Sequence, residues 1–198
     1  MNGKSGEQPT LAGFGPPDPV GSLFFAVMPD AEARGKIAAL VQALRAGHGL
    51  RGQAIAPERL HVTLQYLGEF AGLPADLVAG ARRAGDALDA DAFDLAFDGI
   101  AGFGAGRGRR PLVLRGGAAG TRALVSLYEA LAARLAAAGV KSDTRHAFVP
   151  HLTLLYDERL PAPQAIDPVG WRVRELHLLR GLAGAPCYEP LASWTLRR

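Results

Sequence analysis

The chain has 198 residues, enough for a substantial apolar core in one domain or in two small lobes that share one. Hydrophobic residues make up 48%, charged residues 21%, and the formal net charge is +3, a globular balance that permits an anionic ligand without demanding one. The single cysteine, Cys187, excludes an internal disulfide framework and a Cys-rich zinc site, and no run approaches the roughly 18 apolar residues of a membrane span.

Residues 1–21 are rich in Gly and Pro, lack the apolar stretch of a signal peptide, and read as a flexible leader. With the lone cysteine, this points to the cytoplasm. Leu23–Met28 reads as a buried strand. Pro29 and Asp30 open a helix with Asp30 as N-cap, Ile37, Leu40, Val41 and Leu44 at helical spacing, and a stop at GHG, 47–49. A loop leads to a strand around Leu60–Leu67. A second helix is expected from about Pro74 to Leu88, with Leu77, Val78, Ala81 and Leu88 inward, and FDLAFDGIAGF, 93–103, reads as a strand.

The order then repeats. PLVLRG, 111–116, is a strand. Thr121 caps a helix bearing Leu124, Leu127, Tyr128, Leu131 and Leu135 on one face, and Gly139 ends it. The loop KSDTRHA leads to a strand in FVPHLTLLYD, 148–157. Two more strands are expected, in WRVRELHLLR, 171–180, and in SWTLR near the C-terminus. This is an α+β reading with an internal duplication of strand–helix–strand.

Each repeat ends in the same motif. RLHVTLQYLG, 59–68, holds His61 and Thr63; FVPHLTLLYD holds His151 and Thr153. With five His and six Thr in the chain, composition alone yields about 0.035 matches to His–apolar–Thr–apolar, so two in matching places are not accidental. Strand alternation puts His61, Thr63 and Gln65 on one face and Leu60, Val62, Leu64 and Tyr66 on the other. It likewise puts His151 and Thr153 opposite Leu152, Leu154 and Tyr156. If the two units pack side by side, both His–Thr pairs face one groove. Two imidazoles suit general acid–base catalysis near neutral pH, and two hydroxyls can hydrogen-bond phosphoryl oxygens. Phosphodiester cleavage needs that set. A metal is not required, and no third ligand stands at motif spacing, although His146 lies close enough in sequence to approach. His48 and His177 read as ordinary residues.

PERLHVTLQYLGEF and FVPHLTLLYD resemble the two signatures of the two-histidine phosphoesterase superfamily. More narrowly, the chain from about Leu23 resembles the bacterial 2′-5′ RNA ligases, also described as RNA 2′,3′-cyclic phosphodiesterases. SLFFAVMPD, VRELHLLRG and YEPLASWTLR look like further strands of that group. The resemblance implies a bilobal, pseudo-twofold fold over residues 22–198, with antiparallel-rich sheets flanking a central groove and helices outside. It implies hydrolysis of a 2′,3′-cyclic phosphate at an RNA end to a 2′-phosphate, with no metal or other cofactor. In some members it implies ATP-independent, reversible 2′-5′ joining of RNA ends. His61 and Thr63 would form one half-site, His151 and Thr153 the other. His61 is assigned as acid and His151 as base, and the reverse is equally compatible with the sequence. The partners implied are RNA ends or a small cyclic phosphate, no membrane, and a monomer by default. The rivals are a phosphodiesterase of a small cyclic nucleotide or ADP-ribose derivative and a non-catalytic RNA-end binding module.

Two departures stand out. Where many relatives carry arginine before the second Pro–His step, this chain has Val149. Where many carry a phosphate-touching arginine after the second motif, it has Tyr156, which offers an uncharged donor to substrate. Arg145 or Arg159 could supply the charge instead. GFGAGRGRRP, 102–111, gathers Arg107, Arg109 and Arg110 on a loop that could clasp an RNA backbone. Phe24, Phe25, Phe103 and Tyr156 are candidates to stack a base, and Phe24 and Phe25 face opposite sides of their strand. GKS at residues 3–5 is not a phosphate-binding P-loop, because no upstream glycine precedes it.

Overall fold

The structure is a computed structural model that describes residues 19–104, 108–142 and 147–198. Strand β1 (Val20–Val27) separates two environments. Leu23, Phe25 and Val27 belong to the main apolar core, while Phe24 and Ala26 join Leu179 in a small second cluster, packed by Met28 and Tyr188. Helix α1 (Ala31–His48) follows as expected. The Asp30 side chain accepts from the Ala33 amide at 2.9 Å, and Gly49, at φ 63°, ends the helix in the left-handed conformation that favours glycine. Its buried stripe is Ala33, Ile37, Val41 and Leu44.

The chain continues through a short 3-10 turn, Pro57–Arg59, into β2 (Val62–Ala71), α2 (Ala75–Asp86) and β3 (Phe93–Gly102). Then come β4 (Arg110–Arg115), α3 (Ala118–Ala137) and β5 (His151–Asp157). The last strands are β6 (Gln164–Val173), β7 (Glu175–Leu182) and β8 (Glu189–Thr195). They form two four-stranded sheets, β2-β1-β7-β8 and β5-β4-β3-β6, with every pairing antiparallel. The orders superpose when β1 and β2 are exchanged for β4 and β5, so the fold is the bilobal, pseudo-twofold α+β architecture expected. One continuous core joins both sheets to all three helices.

Three expectations need correction. Thr121 does not cap α3. That helix starts three residues earlier, behind Gly117, and the buried Thr121 hydroxyl donates back to the Gly117 carbonyl at 3.0 Å. The stretch 171–180 is not one strand. WRV closes β6 in one sheet and ELHLLR opens β7 in the other, and Arg174 between them carries no turn signal in its residue type. Most of β6 lies before the stretch expected as a strand, and Pro168 within it is a residue that central strands exclude. β6 is in fact a sheet edge, with its register broken opposite Phe97–Gly99.

The third correction shapes the site. β2 pairs Gln65 with Phe25 and Thr63 with Ala26, leaving Leu64 without a partner on β1. β5 pairs Leu155 with Leu112 and Thr153 with Val113, leaving Leu154 out in the same way. Each strand therefore carries a bulge at the leucine after the threonine, and the alternation slips by one residue. Gln65 turns to the core face, 1% exposed, where its Nε2 donates to the Tyr128 carbonyl of α3 at 3.3 Å. Tyr66 and Tyr156 turn outward in its place, 41% and 43% exposed. The motif is thus H-x-T-L-x-Y in both repeats, and Gln65 does not share a face with His61 and Thr63.

Candidate functional site

Both histidines sit where a strand begins. His61 directly precedes β2 and His151 opens β5. The His61 Nδ1 lies 2.7 Å from the Arg59 carbonyl oxygen, and the His151 Nδ1 lies 2.8 Å from that of Val149. A carbonyl only accepts, so Nδ1 carries a hydrogen in each ring and Nε2 is the nitrogen left to take or give a proton. The two half-sites are alike in the anchoring of the ring as well as in sequence.

Each ring is braced by an aromatic. Phe103 stacks on His151 with centroids 4.7 Å apart and planes 20° apart. Phe24 lies 5.1 Å from His61, and Tyr188 meets His61 edge-on at 5.0 Å. Tyr188 is itself covered by the Arg59 guanidinium, 4.7 Å above its ring, and Arg59 Nη1 donates to the Ala185 carbonyl at 3.0 Å. Of the base-stacking candidates, Phe25 is core and Phe24 is buried behind His61. Phe103 is half-buried against His151, and only Tyr156 is largely open.

One groove of about 970 Å³ brings the five expected residues together: His61, Thr63, His151, Thr153 and Tyr156 all line it. Arg59, Arg109 and Tyr188 complete its charged and aromatic wall. A second cavity, of about 760 Å³ between α3 and the segment Asp89–Asp94, has no imidazole in its lining. The groove is closed from below by the segment before β2. The Ile55 amide donates to the carbonyl of the bulged Leu154 at 2.8 Å, and Ala54 bridges to Leu155. Below Tyr156, the buried Asp157 carboxylate accepts from the Arg51, Gly52 and Arg159 amides at 2.7, 2.6 and 3.0 Å. These bonds, that from Arg159 foremost and then that from Gly52, hold its carboxyl below the ordinary carboxylate value.

Burial pushes the His61 imidazole below its ordinary value. The hydrogen bond to Arg59 opposes this in part, while the nearby His151 and Arg59 charges add to the depression. The shift favours the uncharged ring of His61 near neutral pH. His177 is also lowered by burial; it shares the groove face of β7, bonded to Ser193 Oγ at 2.8 Å, but does not line the groove. His48 is exposed at the end of α1. Among the described residues, no three His, Cys, Asp or Glu side chains gather as a metal ion needs. His146, Arg145 and Arg107 lie outside the described residues.

The arginine expectations divide. Arg109 lines the groove and donates to the Tyr156 carbonyl at 3.1 Å, whereas Arg159 lies in an adjoining cavity. Arg59 was missed, although its place two residues before His61 makes its carbonyl the partner of that ring. Phe103 and Tyr188 were not read as braces of the imidazoles, because their contacts cross between strands far apart in sequence.

The family described as the 2′-5′ RNA ligase superfamily matches residues 29–185. No curated protein matches the chain by sequence. Among solved structures, the chain is similar to E. coli LigT complexed with 3′-AMP, at 27% identity and a TM-score of 0.69 over 92% of this chain and 100% of that one. It is similar to E. coli LigT complexed with phosphate, at 26% identity and a TM-score of 0.67 over 91% and 100%. TT0787 of Thermus thermophilus shares the fold, at 24% identity and a TM-score of 0.67 over 89% and 98%.

Proposed function

The chain belongs to the 2′-5′ RNA ligase superfamily, and from that premise we propose that it hydrolyses the 2′,3′-cyclic phosphate at an RNA end to a 2′-phosphate. The observation that carries the reading is the meeting, in one groove, of two imidazoles each anchored through Nδ1 on a backbone carbonyl and two threonine hydroxyls. The ligands in the LigT structures, 3′-AMP and phosphate, support a nucleotide phosphate there.

His61, kept neutral by burial, takes a proton from water through Nε2 as the water oxygen attacks phosphorus. The P–O3′ bond breaks, and His151, entering the step as an imidazolium with hydrogens on both Nδ1 and Nε2, gives its Nε2 proton to O3′. This reverses the roles assigned from the sequence. Thr63 and Thr153 donate to the non-bridging oxygens, where charge gathers in the transition state. Tyr156 offers a further donor, and Arg59 and Arg109 offer positive charge at the groove wall. The step uses no metal and no nucleoside triphosphate. With a 5′-hydroxyl of another RNA end in place of water, the same groups would make a 2′-5′ linkage, and running the step backwards would cleave it.

The test is a short RNA bearing a 2′,3′-cyclic phosphate, incubated with the protein and EDTA, with the product identified. A 2′-phosphate that disappears in His61→Ala and in His151→Ala is the expected result. Turnover of 2′,3′-cyclic nucleotides but not of RNA would favour the small-substrate reading, and RNA binding without turnover would favour the binding module.

A further inference from the structure

The groove does not end at Tyr156. Gln53 and Arg109 form a wall that it shares with a second cavity of about 590 Å³, within the roughly 300–1,000 Å³ range of ligand pockets. Arg51 and Arg159 line that cavity beside Arg109. Its acidic groups are Asp157 and Glu158. The Asp157 carboxylate is occupied by three backbone amides, so it organises the floor. Two of those amides belong to Arg51 and Arg159 themselves. The Asp157 clamp therefore sets the backbone from which both guanidinium groups project, and Arg109 is tied to the junction by its bond to the Tyr156 carbonyl.

The other end of the groove differs. Past Arg59 lies a smaller cavity of about 350 Å³, lined by Ser22, Glu69, Gly181, Leu182 and Ala183. Arg59, its one cation among the described residues, is held against Tyr188 and the Ala185 carbonyl. Tyr66, the counterpart of Tyr156, sits beside Glu69, and burial and that carboxylate hold its phenol above the ordinary value. The pseudo-twofold axis thus relates two tyrosines in unequal surroundings, one beside a cavity with an excess of arginine and one beside a cavity where a single arginine faces a single carboxylate. A polyanion entering the groove meets three arginines and the Glu158 carboxylate at one end, with the Asp157 carboxylate taken up by backbone amides, and one arginine beside one carboxylate at the other.

Resting on the function proposed above, we infer that the RNA strand 5′ to the reacting end leaves the groove past Tyr156 and lays its phosphodiester backbone in the Arg51–Arg109–Arg159 cavity. The site fixes the direction of the strand and makes the enzyme prefer an oligonucleotide to a mononucleotide. It reads phosphate charge, so it adds affinity without sequence preference.

Two measurements on Arg51→Ala/Arg159→Ala test this, since neither side chain lines the groove and both backbone amides to Asp157 remain. In the first, a labelled single-stranded RNA of about eight nucleotides ending in a 3′-phosphate is titrated by fluorescence anisotropy between about 50 and 200 mM salt. In the second, turnover of 2′,3′-cyclic CMP is followed. The expected result is RNA affinity weakened tenfold or more at low salt. The slope of log K against log salt should shrink by about 0.7 for each phosphate that the variant no longer neutralises, with cyclic CMP turnover within twofold of wild type. Arg51→Lys/Arg159→Lys should restore most of the slope, which separates charge from folding. Unchanged RNA binding and slope in the alanine variant overturns the inference, as does stronger dependence on Glu69→Gln than on the two arginines. If the wild type turns over neither cyclic CMP nor the RNA bearing a 2′,3′-cyclic phosphate, the proposed reaction fails, and the anisotropy result still decides the cavity's role.

Discussion

His61 and His151 hold their rings in the same way, each with Nδ1 on the carbonyl two residues earlier, at 2.7 and 2.8 Å. Yet only His61 lies under Phe24 and Tyr188 with Arg59 close by. The proposed division of the pair into a base and an acid rests on this equivalent geometry in unequal surroundings.

The first prediction concerns pH. For His61 as base, kcat/KM falls as the pH drops through the value of that group. Burial has lowered it, so the acidic limb should lie below the ordinary histidine value of 6.5. A bell-shaped profile whose acidic limb sits below 6.5 is expected, with both limbs belonging to the coupled pair. An acidic limb above 6.5 would remove His61 from the base role. His61→Ala and His151→Ala should each lower kcat by about 10²–10⁴, with unchanged circular dichroism.

Folding stability gives a second. Asp157 has a folded-state value depressed below 3.8, so its contribution is fully present above 3.8 and is lost as the pH falls through the lower, folded value. Asp157→Asn removes the charge from its hydrogen bonds with three amides and should destabilise by about 1–3 kcal/mol near neutrality. The gap between variant and wild type in urea melts should narrow in acid. A constant gap down to low pH would mean that the carboxylate charge is immaterial.

Close packing under Tyr156 supplies a third. A Cβ on Gly52 would collide with the Tyr156 carbonyl oxygen, and Gly52 also donates to Asp157. Gly52→Ala should lower Tm by several degrees and raise KM more than a surface substitution such as Gly35→Ala, where a Cβ meets nothing within 4 Å. Equal effects from the two variants would show that the segment before β2 can shift without cost.

The bulge supplies a fourth. It sends Gln65 into the core, where its pseudo-equivalent is Leu155, and Gln65 Oε1 is buried without a hydrogen-bond partner among the described residues. Gln65→Leu should therefore leave stability unchanged or raise it by about 1 kcal/mol, since exchanging a half-satisfied amide for an isosteric apolar group is near neutral or favourable. A loss above about 2 kcal/mol, read by thermal melts, would show that the bond from Nε2 to the Tyr128 carbonyl outweighs the unsatisfied oxygen.

Local chemistry made much of this legible. Asp30 and Gly49 bracket α1 because a capping carboxylate and a left-handed glycine act within a few residues. The two His–Thr pairs were visible because i and i+2 lie on one strand face before any bulge intervenes. What came after the bulge was not, since an unpartnered residue is a property of two strands in register and leaves no mark in the residue types of Leu64 or Leu154. Residue type also misled at Thr121, a good capping residue buried inside its helix. Arg59, Phe103 and Tyr188 acquire their places only when separate strands meet.

The two sheets do not divide the chain at its middle. The sheet that carries His61 holds β1 and β2 from the N-terminal part and is completed by β7 and β8. Before Glu175 is reached, that sheet is a two-stranded ribbon, a form barely stable alone in water. Synthesis from the ribosome should therefore leave the His61 half-site unformed until the last strands emerge, and refolding should be slow for the chain's size because its pairings span long sequence separations. Proteolytic halves cut between β5 and β6 would each lack strands the other supplies. They should regain structure only when mixed.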